Sequence, residues 1–151
     1  MNILVFRSAK MNVIDKLFIK LLNNNSDSIT CLVQQNNYNQ MKELYPKIKF
    51  ISIHNDYFDY KDFKEKIDLS KKKYDEIIVP SSGKSFNDFD DIFKICDEIK
   101  CKRIVLFDCD GNEIVENCNF IYELKNIIES IFIKIEILYI KKNYKKLFRK
   151  I

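Results

Sequence analysis

Between positions 80 and 86 the chain reads PSSGKSF. A glycine, a lysine and three serines within six positions are residue types that hold anionic oxygens. Backbone N–H groups turn inward where glycine opens the turn, hydroxyls donate, and the ammonium adds charge. The segment follows the apolar run Ile77–Val79 and precedes an apolar-periodic stretch, which gives it a strand–loop–helix context. A loop that wraps a nucleoside triphosphate needs a glycine five positions before Gly83, and Ile78 stands there. Two readings remain. Ser81, Ser82, Gly83, Lys84 and Ser85 bind a phosphate or a sugar weakly, or they form a turn that caps the next helix through Ser85 or Asn87. A second polar group, Arg7, Ser8, Lys10 and Asn12, follows the first apolar run and is expected to line the same crevice.

Asp108 and Asp110 form a D-x-D pair in FDCDGNEI, which resembles the opening motif of the haloacid dehalogenase-like phosphatases. That resemblance implies a nucleophile at Asp108 and an acid/base beside magnesium at Asp110. The chain departs from the motif in three ways. Asn112 replaces the usual threonine, 39 residues follow it, and they lack the later lysine and acidic strand end. Asp110-Gly111 is a favoured turn pair, so a hairpin is the expected structure, and a metal-binding D-x-D meets the same objection. The single histidine, His54, follows a strand pattern and reads as a strand-end residue. Five cysteines, none in a C-x-x-C pair, read as reduced thiols of a cytosolic protein. Cys96 and Cys101 have no histidine nearby to complete a zinc site. No metal and no cofactor is assigned. A secretory leader is not expected, because Ile3–Phe6 is too short for its apolar region.

Strands are expected at Asn2–Phe6, Ser28–Val33, Ile48–Ile53, Ile77–Val79 and Arg103–Phe107, with Glu113–Glu116 hairpinning back onto the last. Helical spacing covers Val13–Leu22, Tyr38–Tyr45, Asp56–Lys73 and Asn87–Ile99. Alternating strands and helices specify an α/β fold. The expectation is a Rossmann-like three-layer sandwich with a mostly parallel five-stranded sheet of order 3-2-1-4-5, a hairpin strand, and a long C-terminal amphipathic helix. Residues 1–118 would form the α/β domain and residues 119–151 the helix. The net charge of +4 belongs to the end of the chain: KKNYKKLFRKI carries six basic and no acidic residues, leaving 20 basic and 22 acidic before it. That distribution does not describe a surface built for specific nucleic acid. Lys141, Lys142, Lys145, Lys146, Phe148, Arg149 and Lys150 suit the surface of an anionic membrane. Glu129, Lys134 and Glu136 argue against a membrane-spanning helix. The apolar stripe ahead of the basic residues is expected on the sheet or on a second copy of the chain, as a homodimer.

The stretch Asn2–Asn12 resembles the start of the heptosyltransferase-like glycosyltransferases of the GT-B fold. Arg7 matches the arginine that ends their first strand, and Asn12 and Val13 fall where that family has Gly-Asp. YDEIIVPSS and KRIVLFD are similar in layout. The resemblance covers about the first 118 residues, the N-terminal half of such an enzyme. It implies a glycosylated acceptor or a partner glycosyltransferase in cell-envelope polysaccharide synthesis, on the cytoplasmic face of the inner membrane. Val13 stands at the position of the family's catalytic acid, and the donor-binding half has no counterpart here. Any catalysis would therefore need a second chain. The alternative expectation is a flavodoxin-like module that binds a nucleotide or another phosphate-containing ligand without chemistry. A receiver domain does not fit, since Arg7 ends the first strand where an acid is required.

Overall fold

The computed structural model describes residues 1–24, 28–54, 56–66, 69 and 72–117. They build a six-stranded sheet, and the first strand explains its layering. β1 (Asn2–Phe6) is apolar at four consecutive positions, and Ile3, Leu4, Val5 and Phe6 are all fully buried. Successive side chains leave opposite faces of a strand. Ile3 and Val5 join one core, with Val13, Ile14, Leu17 and Phe18 of α1 (Met11–Asn23) and Met41 of α2 (Tyr38–Leu44). Leu4 and Phe6 join a second core, with Phe63 of α3 (Tyr60–Lys66) and Ile92, Ile95 and Cys96 of α4 (Asp90–Glu98). Two helices therefore cover each face, which makes three layers.

The remaining strands are β2 (Ser28–Gln34), β3 (Lys49–Ile53), β4 (Lys73–Pro80), β5 (Lys100–Phe107) and β6 (Glu113–Asn117). Their order is β3-β2-β1-β4-β5-β6. All neighbours are parallel except β5 and β6, which form an antiparallel hairpin. The expected order and hairpin are both present. β1 and β4 are adjacent, and the helices that follow them, α1 and α4, lie on opposite faces. That change of direction opens a crevice beyond the carboxyl ends of the two strands.

Several element boundaries differ from expectation. The helix expected over Asp56–Lys73 begins only at Tyr60, as α3, and the described residues Leu69 and Lys72 lie outside a helix. The Asp59 carboxylate accepts a hydrogen bond from the Asp62 N–H (3.0 Å), which caps the helix at its start. Phe58 stays outside it and packs edge-on against Phe6, with ring centroids 5.1 Å apart. The strands on either side of α4 begin earlier than the apolar runs, at Lys73 and Lys100, because Tyr74 is drawn into the core and pairs with Cys101. The helix expected from Asn87 begins at Asp90, behind a separate turn in which the Phe89 N–H bonds the Phe86 carbonyl (3.2 Å). Pro80 is the last residue of β4 rather than a stop after it. The expected C-terminal helix, the boundary at residue 119 and the homodimer stripe lie outside the described residues. Among the described residues no helix is long and apolar enough to cross a membrane.

Candidate functional site

The crevice at the switch point encloses about 590 Å³. The carboxyl ends of β1, β2 and β3 contribute, and β4 contributes through the helix that follows it. Arg7, Ser8 and Ala9 come from the end of β1, Gln34 from the end of β2, and Asp56, Tyr57 and Phe58 from the loop after β3. Asp88–Ile92 and Lys94 come from the start of α4.

Arg7 and Gln34 form its floor through a reciprocal pair. Arg7 Nη1 donates to Gln34 Oε1 (3.2 Å), and Gln34 Nε2 donates to the Arg7 carbonyl (3.1 Å). Gln34 is only 6% exposed, so its amide is spent on holding the guanidinium. Arg7 Nε is buried with no hydrogen-bond partner among the described residues. Of the lining aromatics, Tyr57 is 67% exposed, and Phe58 and Phe89 are half-buried. Four aspartates line the crevice together with Arg7 and Lys94. Asp56 accepts from Asn36 Nδ2 (3.0 Å) and Asp91 pairs with Lys94 (3.0 Å). The Asp88 and Asp90 side chains carry no hydrogen bond or ion pair among the described residues.

The candidate residues divide between this crevice and its rim. Arg7 and Ser8 line it. Lys10 and Ser82 tie the two loops together on the rim, the Lys10 N–H donating to Ser82 Oγ (2.7 Å), and Ser8 Oγ donates to the Pro80 carbonyl (2.6 Å). The two loops do meet, as expected from the strand order. Asn12 is exposed in the first turn of α1, away from the crevice lining.

Ser81–Ser85 does not line the crevice. Its donors are used internally: Ser81 Oγ donates to the Ser85 carbonyl (2.9 Å) and accepts from the Gly83 N–H (3.2 Å). Lys84 Nζ pairs with Asp110 (2.8 Å), which raises the lysine pKa. α4 starts seven residues after Gly83, and Asp90 and Asp91 already occupy its first turn. Carboxylates there satisfy the positive end of the helix and leave little attraction for a phosphate. Neither Ser85 nor Asn87 caps α4. Phe89 holds that position without a side-chain bond, and Ser85 Oγ instead accepts from the Asn87 N–H (3.2 Å).

The D-x-D segment is a turn. The Asp108 carboxylate accepts from the N–H groups of Asp110 (2.9 Å) and Asn112 (2.8 Å) and from Asn112 Nδ2 (2.9 Å). The Asn112 side chain does most to hold its pKa below the usual carboxylate value. Gly111 supplies the left-handed residue (φ +92°) that closes the hairpin. His54 is exposed just beyond β3. Among the described residues, no three His, Cys, Asp or Glu side chains converge as a metal site.

Gln34, Tyr57, Phe58, Asp88 and Phe89 were not among the sequence-based candidates. Their signal was positional: Gln34 ends β2, Tyr57 and Phe58 follow β3, and Asp88 and Phe89 lie between β4 and α4, on the side where ligands bind in open α/β sheets.

No protein-family model, curated protein or solved structure matches the chain. Fold and crevice together define the class, a Rossmann-like α/β protein with a switch-point cavity.

Proposed function

We propose that this is a glycosyltransferase-like binding domain, similar to the N-terminal half of a GT-B enzyme, that holds a polyhydroxylated, glycosylated acceptor in the switch-point crevice. The lining of the crevice carries the reading. Aromatic side chains offer apolar faces to a sugar ring, while carboxylates accept from hydroxyls and Arg7 donates to ring or hydroxyl oxygens. Four aspartates against Arg7 and Lys94 make the crevice a poor host for a phosphate-rich ligand and a good one for hydroxyls. With Val13 where the resembled family has an acid, the domain serves as an acceptor-binding or accessory component, and donor chemistry falls to a partner glycosyltransferase. The place of action is cell-envelope polysaccharide synthesis at the cytoplasmic face of the inner membrane. Lys141, Lys142, Lys145, Lys146, Phe148, Arg149 and Lys150 contribute the contact with anionic lipid; these residues lie outside the described part of the structure.

The second reading, a flavodoxin-like module for a nucleotide or phosphate-containing ligand, draws on the buried, unpartnered Arg7 Nε. Calorimetric titration of the full chain with neutral oligosaccharides, sugar phosphates and nucleotides separates the two. Oligosaccharide binding is expected, weakened roughly tenfold in Tyr57→Ala through loss of the aromatic platform. Nucleotide binding without oligosaccharide binding would reverse the choice.

A further inference from the structure

Charge divides along the strand axis. At the end that holds the crevice, segments 7–10, 54–59, 81–91 and 108–113 carry eight acidic and three basic residues. At the opposite end, segments 45–49, 72–76, 97–103 and 116–117 carry seven basic and five acidic. The β4–β5 ladder shows how uneven the second end is. Asp75 bonds Lys102 (2.5 Å) and Glu76 bonds Arg103, so two rungs of that ladder are neutralised. The outermost rung pairs Lys73 with Lys100, both exposed, with exposed Lys72 beside them. Lys72, Lys73, Lys100, Lys47 and Lys49 make no ion pair among the described residues. Like charges directly opposite on a ladder lower stability, so this rung is a cost that an anionic partner would offset.

We propose that this lysine edge, Lys72, Lys73 and Lys100 at the adjacent amino ends of β4 and β5, docks the protein on an anionic bilayer surface. Two features favour lipid headgroups over nucleic acid. The unpaired cations are all lysines, which act as point charges rather than bidentate forks. The nearby aromatics, Tyr74 and Tyr45, are buried and half-buried, which leaves bases no platform to stack on. The acidic crevice end is repelled by the same surface, which orients the crevice away from the bilayer. The inference does not depend on what the crevice holds.

The test is sedimentation of the full chain with vesicles of phosphatidylcholine and phosphatidylglycerol in equal parts. The triple variant Lys72→Gln, Lys73→Gln, Lys100→Gln is expected to lose about a hundredfold in partitioning, at roughly fivefold per basic residue. Lys100→Glu supplies an internal control for folding. It gives Lys73 a cross-strand partner, so its Tm is expected to rise while its vesicle binding falls. Wild-type binding by the triple variant overturns the proposal, as does a Lys100→Glu variant that is stabilised but binds as before. A wild-type chain that ignores the vesicles overturns it as well. So does loss of binding to a single-stranded RNA probe, in the triple variant, without loss of binding to vesicles.

Discussion

Asp108 serves the β5–β6 hairpin as a cap serves a helix: one carboxylate collects two backbone N–H groups and a side-chain amide within five residues. Its folded pKa is held below the ordinary 3.8, so the stability it adds is present above that value and is lost as pH falls through the folded value. Asp108→Ala is therefore expected to melt below wild type at neutral pH, and the gap should close as the buffer is acidified past 3.8. A gap that persists in acid would mean that the carboxylate is not what holds the turn. The turn was legible in advance because Asp-Gly needs only local geometry. Ser85 and Asn87 were misread for the opposite reason. Their types suit a cap, but the Phe86–Phe89 ring pair (centroids 5.6 Å apart) and its turn delay the helix to Asp90. Packing between two aromatics outranks the propensity of either polar residue.

At the scale of elements, the β4–β5 contact joins a core pairing to a charge pairing. Ile77 and Val79 of β4 are fully buried, while Glu76, 7% exposed, is held by Arg103 across the ladder. Removing the arginine leaves a buried carboxylate alone. Arg103 is itself half-exposed, so Arg103→Ala is expected to cost about 2 kcal/mol, the scale of a hydrogen bond to a charged group rather than of a fully buried ion pair. Urea unfolding measures this, and an unchanged midpoint would show that water already screens Glu76. Strand positions were readable from continuous apolar runs, since a strand buried on both faces has no polar alternation. Strand lengths were not. Lys73, Lys100 and Lys102 read as polar flanks, yet the ladder carries them, because a sheet edge tolerates side chains that the core would reject.

For the whole molecule, both apolar clusters close within Ile3–Phe107, inside the compact unit Met1–Asn117. A chain ended at Asn117 is expected to unfold cooperatively in a thermal melt, and a broad, non-cooperative transition would refute that. The strand order followed from strand–helix alternation and handedness alone. The separation of charge between the two ends of the sheet did not show in the sequence. The residues that create it are scattered along the chain, and only the topology gathers them. For the same reason the crevice lining was half-legible. Arg7 and Ser8 adjoin the first strand, whereas Gln34, Tyr57 and Phe89 become neighbours only after three crossovers.

The central position of β1 sets a timetable for a chain still being made. Its partner on one side is near, with Ile3 opposite Ile29, but on the other side Ile3 waits for Glu76. At typical synthesis rates the second partner leaves the ribosome about 4 to 15 seconds after β1. During that interval the most apolar strand of the protein, NILVF, has one row of N–H and C=O groups bare. Such an edge pairs readily with a neighbouring nascent chain. Yield in a crowded cell would then be governed less by the finished fold than by what shields Ile3–Phe6 until β4 arrives.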